Sequence, residues 1–193
     1  YIKEDSFYRT FRWATNVTFF DTEEQHCVEI PEKNIFVYGL SFEHKEVRSP
    51  LYDEWKPVNK PGFHVLLAHG GDLSCCPMDF TGLAGAGFDY VALGHSHKPH
   101  TVCRDKIAYS GSLEPLDRND LGKHGYIQGE YEDGNVKVRL VPCANRSYQN
   151  LVLNVDRDTT QYKLEEMLRS EVMRRGGRNI YRLILKGRVS PDN

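Results

Sequence analysis

The sequence predicts a layered α/β fold. Two continuous apolar runs, "FHVLLAH" (63–69) and "DYVALGH" (89–95), have the length and composition of strands that are buried on both faces. The stretch "MDFTGLAGAGF" (78–88) between them predicts a short helix. Near the carboxyl end, "YQNLVLNVD" (148–156) begins a strand–helix–strand unit. Strands that alternate with helices in this way are typical of α/β domains.

The residues before the first apolar run predict short elements and loops. Residues 1–14 are weakly helical, with aromatic side chains at near-helical spacing. Three short strand candidates follow, "NVTFF" (16–20), "HCVEI" (26–30) and "NIFVYGLSF" (34–42). Residues 43–61 are polar and interrupted by prolines, and therefore predict a loop.

Two hairpins and one βαβ-like unit are predicted after residue 100. Residues 101–112 predict a hairpin pair, and residues 124–142 predict a longer hairpin with "DG" at its turn. In the last unit, a helix begins near Asp158 or Thr159, which can cap it, and ends at Gly176–Gly177. Its apolar face would consist of Leu164, Met167, Leu168 and Val172. The strand "NIYRLILKGRV" (179–189) closes the unit.

A domain boundary is predicted near residues 143–147, where the pattern of elements changes. The domains would be residues 1–145 and 146–193. Charge also changes there: residues 144–193 hold ten Lys/Arg and six Asp/Glu, a balance of +4, within a chain of net charge −2. A basic segment suits nucleic acid or an acidic partner, but a solvated helix surface is the simpler explanation, because the charges are scattered.

Composition excludes several classes of protein. Hydrophobic residues make up 39% and charged residues 27% of the 193 residues, as in ordinary globular proteins and unlike disordered ones. No apolar run approaches the about 20 residues that a membrane helix needs. The five cysteines are odd in number and lack the spacing of a disulfide framework or a zinc knuckle. We therefore expect free thiols and a cytoplasmic location.

Three histidines suggest a metal site. Both buried strands end in histidine, at His69 and His95, and the carboxyl ends of such strands are where ligands collect in layered α/β folds. His97 follows two positions after His95, and residues i and i+2 of an extended segment point the same way. Neutral imidazole is a common ligand of divalent metals. His64 is expected to be packed or to lie at a strand edge, His100 to be a surface residue, and His124 to have no companion.

The same stretches resemble a known family. "LLAHG", "YVALGHSH" and "YSGSLEP" resemble the second half of the calcineurin-like metallophosphoesterases. Within them, "YSGSLEPLDRNDLGKHGY" is most similar to the DNA-repair exonucleases of the Mre11/SbcD kind, including the YhaO-like branch. The resemblance covers residues 60–145 well and the strand–helix–strand tail more loosely. It implies the second half of a metallophosphoesterase β-sandwich flanked by helices, followed by the beginning of a capping domain.

The resemblance also implies roles for individual residues. His69 and His95 would bind the second of two metal ions, and His97 would bind the first. Ser112 would lie in a loop that approaches DNA, where it either faces the substrate or serves as a turn residue. The ions, manganese in such nucleases, would activate a water for attack on a phosphodiester. The implied partners are DNA and an ABC-type ATPase with a coiled coil; a homodimer is a further expectation, and no membrane is involved.

The family's three amino-terminal motifs, Asp-x-His, Gly-Asp and Gly-Asn-His, are not found where the family has them. The chain also begins with Tyr1 and stops at "VSPDN". We therefore expect a carboxy-terminal piece of a longer enzyme, with exposed apolar surface, weak metal binding and little nuclease activity by itself. No residue of this chain is assigned as catalytic.

Two alternatives remain open from the sequence. The protein could be a metallophosphoesterase that acts on small phosphoesters, for which the basic tail would be less useful. It could instead be a non-catalytic binding module whose histidines are structural or hold one adventitious zinc ion.

Overall fold

The computed structural model describes residues 1–188. The strands are β1 (His26–Ile30), β2 (Ile35–Gly39), β3 (Phe63–His69), β4 (Tyr90–Gly94), β5 (His100–Cys103), β6 (Ile107–Tyr109), β7 (Gly125–Glu132), β8 (Asn135–Pro142), β9 (Tyr148–Val155) and β10 (Ile180–Gly187). The α-helices are α1 (Phe7–Thr10), α2 (Phe80–Gly85) and α3 (Gln161–Arg175). The sequence predicts that the last strand runs to Val189, which lies outside the described residues.

A six-stranded sheet forms the centre of the molecule's first part. Its strand order is β1-β2-β3-β4-β6-β5. The four inner strands run parallel, whereas β1 and β5 pair antiparallel at the two edges. This mostly parallel sheet, with α2 between β3 and β4, confirms the predicted α/β fold.

The sheet belongs to a compact unit made of residues 1–111 and 127–140. Its core contains Phe36, Leu66 and Val91 from three neighbouring strands, each at most 2% exposed. The long loop of residues 43–61 also contributes to the core, through Val47, Tyr52 and Trp55. The polar composition of that loop predicted only its lack of regular structure, and its buried aromatic residues were missed.

Strand β3 is buried on one face, so the prediction of burial on both faces is wrong for this strand. His64, Leu66 and Ala68 are buried, whereas Leu67 is 42% exposed and His69 is exposed. On the other face, Phe63 and Val65 are half-buried, whereas Leu67 and His69 line an open groove. As predicted, His64 is packed: its Nδ1 lies 2.9 Å from the hydroxyl of Tyr38.

The amino-terminal segment contains less regular structure than predicted. Helix α1 has only four residues, and the predicted strand at residues 16–20 does not form. Side-chain packing holds this segment instead of strand pairing. The ring of Phe19 stacks on Tyr8 and Trp13, with centroid distances of 5.7 Å and 6.0 Å. The carbonyl of Phe20 accepts a hydrogen bond from the Ser41 hydroxyl.

The second compact unit contains residues 112–126 and the chain from residue 141 onward. In this unit β9 and β10 pair in parallel, and helix α3 connects them. This arrangement confirms the predicted strand–helix–strand unit. Leu151 and Leu153 of β9 are buried. The predicted apolar face of α3 is half-buried at all four of its positions, Leu164, Met167, Leu168 and Val172.

The caps of α3 differ partly from the prediction. The N-cap is Thr160, whose hydroxyl accepts a hydrogen bond from the amide of Lys163. Asp158 and Thr159 were the predicted caps, and both are wrong. The hydroxyl of Thr159 is already used, because it donates to the carboxylate of Asp156 at 2.7 Å. The helix ends at Gly176, as predicted.

Strands β7 and β8 form the predicted hairpin as a separate two-stranded sheet. Asp133 and Gly134 make its turn, both with positive φ. Each compact unit contains two separate stretches of the chain, so the units are not divided at a single boundary near residue 145. The division into domains 1–145 and 146–193 stays a prediction. Within residues 1–188, no helix has the length and apolar character to cross a membrane.

Candidate metal centre

His69 and His95 meet at the carboxyl ends of two adjacent parallel strands. His69 is the last residue of β3, and it pairs in register with Gly94, the last residue of β4. His95 follows immediately, so the two imidazole rings lie edge to face with centroids 5.3 Å apart. Residues separated by 26 positions in the chain are therefore brought to one point by the parallel sheet.

The backbone at these strand ends allows the close approach. A Cβ atom on Gly94 would lie 3.0 Å from Nδ1 of His69, so a larger residue would press on that ring. His95 itself has φ of 101°, a conformation that residues other than glycine rarely adopt. Strained backbone of this kind is found mainly at functional sites.

The loop after β3 places two more polar side chains beside the histidines. One oxygen of Asp72, Oδ1, accepts hydrogen bonds from the amides of Ser74 and Cys75 at 2.7 Å and 3.0 Å. The other oxygen, Oδ2, lies 2.9 Å from Nε2 of His95. Asp72 therefore fixes the loop and one imidazole at the same time.

Cys75 completes a group of three possible metal ligands. The Sγ of Cys75 and one nitrogen each of His69 and His95 all lie within 4.8 Å of one another. Sequence reasoning missed Cys75, which it treated as a free thiol, and it gave Asp72 no role. The thiol is indeed free of a disulfide. The available signal was weak: a cysteine six residues after a strand-end histidine.

The surroundings alter the acid–base behaviour of the group. The pKa of His69 is lowered, because the surrounding protein desolvates its ring and a charge on His95 would repel a second one. The pKa of Asp72 lies well below its usual range, mainly because Ser74 donates hydrogen bonds to the carboxylate. A neutral imidazole and an ionised carboxylate are the forms that bind or support a metal ion.

His97 lies outside this group of three. The prediction that it points the same way as His95 rested on an extended segment, and that premise is wrong. Strand β4 ends at Gly94, and the chain bends through residues 95–98, beginning at the positive φ of His95. His97 is exposed. Its role as a ligand stays a prediction.

Ser112 belongs to the second compact unit, where its hydroxyl lies 3.1 Å from Nδ1 of His124. His124 is completely buried, and its Nε2 lies 3.1 Å from the carbonyl of Asp120. The expectation that His124 has no companion is therefore wrong, since its ring connects two parts of the loop that precedes β7. The predicted contact of Ser112 with DNA stays a prediction.

The donor atoms of the group fit a divalent metal ion. Two imidazole nitrogens and one sulfur are a ligand set of the zinc type, and a catalytic zinc site ordinarily has three protein ligands and one open position. Asp72 provides the carboxylate partner that ligating histidines usually have. His69, Cys75 and His95 are thus described residues that could hold an ion at this end of the sheet.

Comparison with known proteins supports a distant relationship with metallophosphoesterases. The chain is 22% identical over 189 residues to a Bacillus subtilis (strain 168) protein called "Uncharacterized metallophosphoesterase YhaO". The alignment covers 91% of this chain and 46% of that protein, so the chain spans about half the length of the relative. No protein-family profile matches the chain.

Proposed function

We propose that this chain is part of a divalent-metal-dependent phosphoesterase of the DNA-repair exonuclease type. The observation that carries the proposal is the proximity of His69 and His95 at adjacent strand ends, where the centroids of their rings lie 5.3 Å apart. The similarity to a metallophosphoesterase over most of the chain supports it. In the proposed reaction a phosphodiester of DNA is hydrolysed.

The residues of this chain would hold and orient the metal ions. His69 and His95 would bind one ion, and His97 would bind a second. Two ions together supply Lewis-acid stabilisation and a nucleophilic water at neutral pH. Asp72 would keep the ring of His95 in place through its 2.9 Å contact. Ser112 is proposed to face the substrate, and manganese is the activating ion that the resemblance implies.

The charge of the carboxyl-terminal part favours a polymeric phosphodiester over a small phosphoester. Residues 144–193 carry a balance of +4 in a chain whose net charge is −2. Lys and Arg side chains supply most of the affinity of proteins for nucleic acid. A cytoplasmic location, a homodimer and a coiled-coil ATPase partner are proposed with this function.

Hydrolysis assays of the full-length protein that the gene encodes, of which this chain is proposed to be part, test the proposal. This chain by itself is expected to have little activity. The substrates are linear duplex DNA, single-stranded DNA and bis(p-nitrophenyl) phosphate, each with Mn²⁺, Mg²⁺ or EDTA. We expect Mn²⁺-dependent cleavage of DNA. His69→Ala and His95→Ala should lower kcat/KM at least about 100-fold, more than the usual effect of removing an outer-shell partner.

His100→Ala is the matched control, because His100 is exposed and is not one of the three candidate ligands. It should leave kcat/KM within about twofold. Cleavage of the small ester but not of DNA would overturn the assignment of substrate. Absence of hydrolysis on every substrate, with correctly folded protein, would instead favour a binding module.

A further inference from the structure

We propose that Cys75 is a third protein ligand beside His69 and His95, and that this site selects a zinc-like ion over manganese. This inference rests on the proposed function in one respect: both assign His69 and His95 as ligands of a metal ion. It differs in the identity of the ion, since the proposed function expects manganese at both metal positions.

The distances permit a tetrahedral site after a small adjustment. The three donor atoms lie within 4.8 Å of one another. Zinc–nitrogen and zinc–sulfur bonds of about 2.0–2.3 Å place tetrahedral ligands roughly 3.5 Å apart. The three donor atoms would therefore have to move toward one another by about 1 Å when an ion binds. The fourth position would remain open to water or substrate.

The loop is built so that Cys75 faces the histidines. Glycines at the turn bring the chain back: a Cβ on Gly71 would lie 2.1 Å from the hydroxyl of Tyr109, so only glycine fits there. Asp72 then binds the amide of Cys75 through Oδ1 and the ring of His95 through Oδ2. One carboxylate therefore sets the positions of two of the three ligands. Because Asp72 contacts Nε2, the proposed ligand atom of His95 is its other ring nitrogen, Nδ1.

The neighbouring cysteine does not take part in the site. Cys76 is completely buried and belongs to the apolar core of the first compact unit. Cys75 is half-buried and belongs to the group of three. The two adjacent thiols thus have different environments, and only Cys75 can reach an ion held by the histidines.

The chemistry of sulfur decides which ion is preferred. Thiolate ligands favour zinc and other soft or borderline ions, whereas manganese and magnesium favour oxygen ligands. The donors within the group are two nitrogens and one sulfur, and the nearby carboxylate is occupied by hydrogen bonds. When the ion binds, the thiol of Cys75 loses its proton to solvent and the sulfur becomes the ligand.

Cobalt absorption tests the sulfur ligand directly. Co²⁺ replaces Zn²⁺ in such sites and gives a near-ultraviolet sulfur-to-cobalt charge-transfer band. We expect this band when Co²⁺ is titrated into the metal-free protein, and we expect Zn²⁺ to displace it. A large excess of Mn²⁺ should leave it in place. Cys75→Ser should abolish the band and weaken Zn²⁺ binding at least about tenfold, no less than the loss of an outer-shell partner.

Cys143→Ser is the matched control, because Cys143 is exposed and lies in the other compact unit. It should retain the full band and the full affinity for Zn²⁺. Circular dichroism of each metal-free variant shows whether it is folded. A band that survives in Cys75→Ser, or that is absent from the unsubstituted protein, would overturn the proposal.

Protection from alkylation tests the same ligand without any substitution. Iodoacetamide labelling of the unsubstituted protein, read residue by residue by mass spectrometry, should slow at Cys75 when Zn²⁺ is added. The rates at the exposed Cys27 and Cys143 should not change. Equal labelling of Cys75 with and without Zn²⁺ would contradict the proposal.

These results are separable from those of the hydrolysis assays. A cobalt–sulfur band in a protein that hydrolyses nothing would support the ligand and overturn the proposed function. Mn²⁺-dependent hydrolysis by a protein that lacks the band would support the proposed function and overturn the sulfur ligand.

Discussion

The imidazole of His95 can bind a metal ion, but its backbone adopts a conformation that is sterically unfavourable for any residue with a side chain. Its φ of 101° lies in the region that glycine adopts most easily. A residue held there carries strain of about 1–3 kcal/mol. Since the surrounding structure maintains this strain, a function of the imidazole would explain why histidine stands at this position.

The strain at His95 leads to a measurable prediction. His95→Gly should be more stable than His95→Ala by about 1 kcal/mol, because relief of strain exceeds the 0.5–1 kcal/mol entropic cost of glycine. The free energy of unfolding in urea measures the difference. At His97, whose φ is not positive, the order of the two variants should reverse. Equal stability of the two variants at position 95 would contradict the strain.

His124 is expected to be structural. It is completely buried with both ring nitrogens near polar partners, Ser112 and the carbonyl of Asp120. His124→Ala should lower the free energy of unfolding by about 2–4 kcal/mol, since it removes a completely buried ring together with its hydrogen bonds. Ser112→Ala should cost only about 1 kcal/mol. Urea unfolding of the three proteins compares these losses, and a loss below 1 kcal/mol for His124→Ala would be inconsistent with a structural role.

The two strand-end histidines could be predicted, whereas their neighbours could not. His69 and His95 each follow an apolar run, and parallel strands place such ends at one edge of the sheet. Cys75 reaches the site only because Asp72 folds the intervening loop, and loop geometry leaves no periodic pattern in a sequence. His124 depends likewise on contacts within a loop.

Strand β3 shows how covering layers change the meaning of an apolar run. The run "FHVLLAH" predicted burial on both faces, yet the structure buries alternate residues. An apolar run specifies a strand and its length, but the number of covered faces depends on other elements. Most other strands, both hairpins and α3 were predicted with nearly the observed bounds, because alternation and turn residues are local signals.

Adjacent leucines of β3 provide a direct test of this one-sided burial. Leu66 is completely buried and Leu67 is 42% exposed. Leu66→Ala should lower the free energy of unfolding by about 2–5 kcal/mol, and Leu67→Ala by less than about 1 kcal/mol. Leu67→Ala should also reduce the fluorescence of an apolar dye bound to the groove. Similar losses of stability in the two variants would show that both faces of β3 are covered.

Helix α3 begins where its cap hydroxyl is free to accept a bond. Thr160→Ala should lower the free energy of unfolding by about 1 kcal/mol, because it removes the acceptor for the amide of Lys163. Asp158→Ala, at a predicted cap that the structure does not use, should cost less than about 0.5 kcal/mol. Thermal unfolding followed by circular dichroism distinguishes the two, and a larger effect at Asp158 would contradict the observed cap.

The charge of the chain is divided unevenly, and this division bears on the proposed substrate. Arg178 and Lys186 are exposed in the basic part of the chain. Arg178→Glu and Lys186→Glu should raise the Kd for DNA and make log Kd less dependent on log salt, by about 0.9 for each lost phosphate contact. Fluorescence anisotropy at several salt concentrations measures both quantities. Arg104→Glu is the matched control, because Arg104 is an exposed residue of the first unit, and it should raise the Kd less. Equal effects would show that DNA binding depends on the total charge and not on the basic part of the chain.

The parallel pairing of β3 with β4 also determines when the site can appear during folding. His69 and His95 approach each other only after a segment of 26 residues has closed and the two strands have paired in register. Contacts between distant parts of a chain form more slowly than local ones. An ion that needs both imidazoles therefore has nothing to bind early in folding. Cobalt colour, followed in a stopped-flow instrument, would report the moment at which the centre of the sheet is assembled.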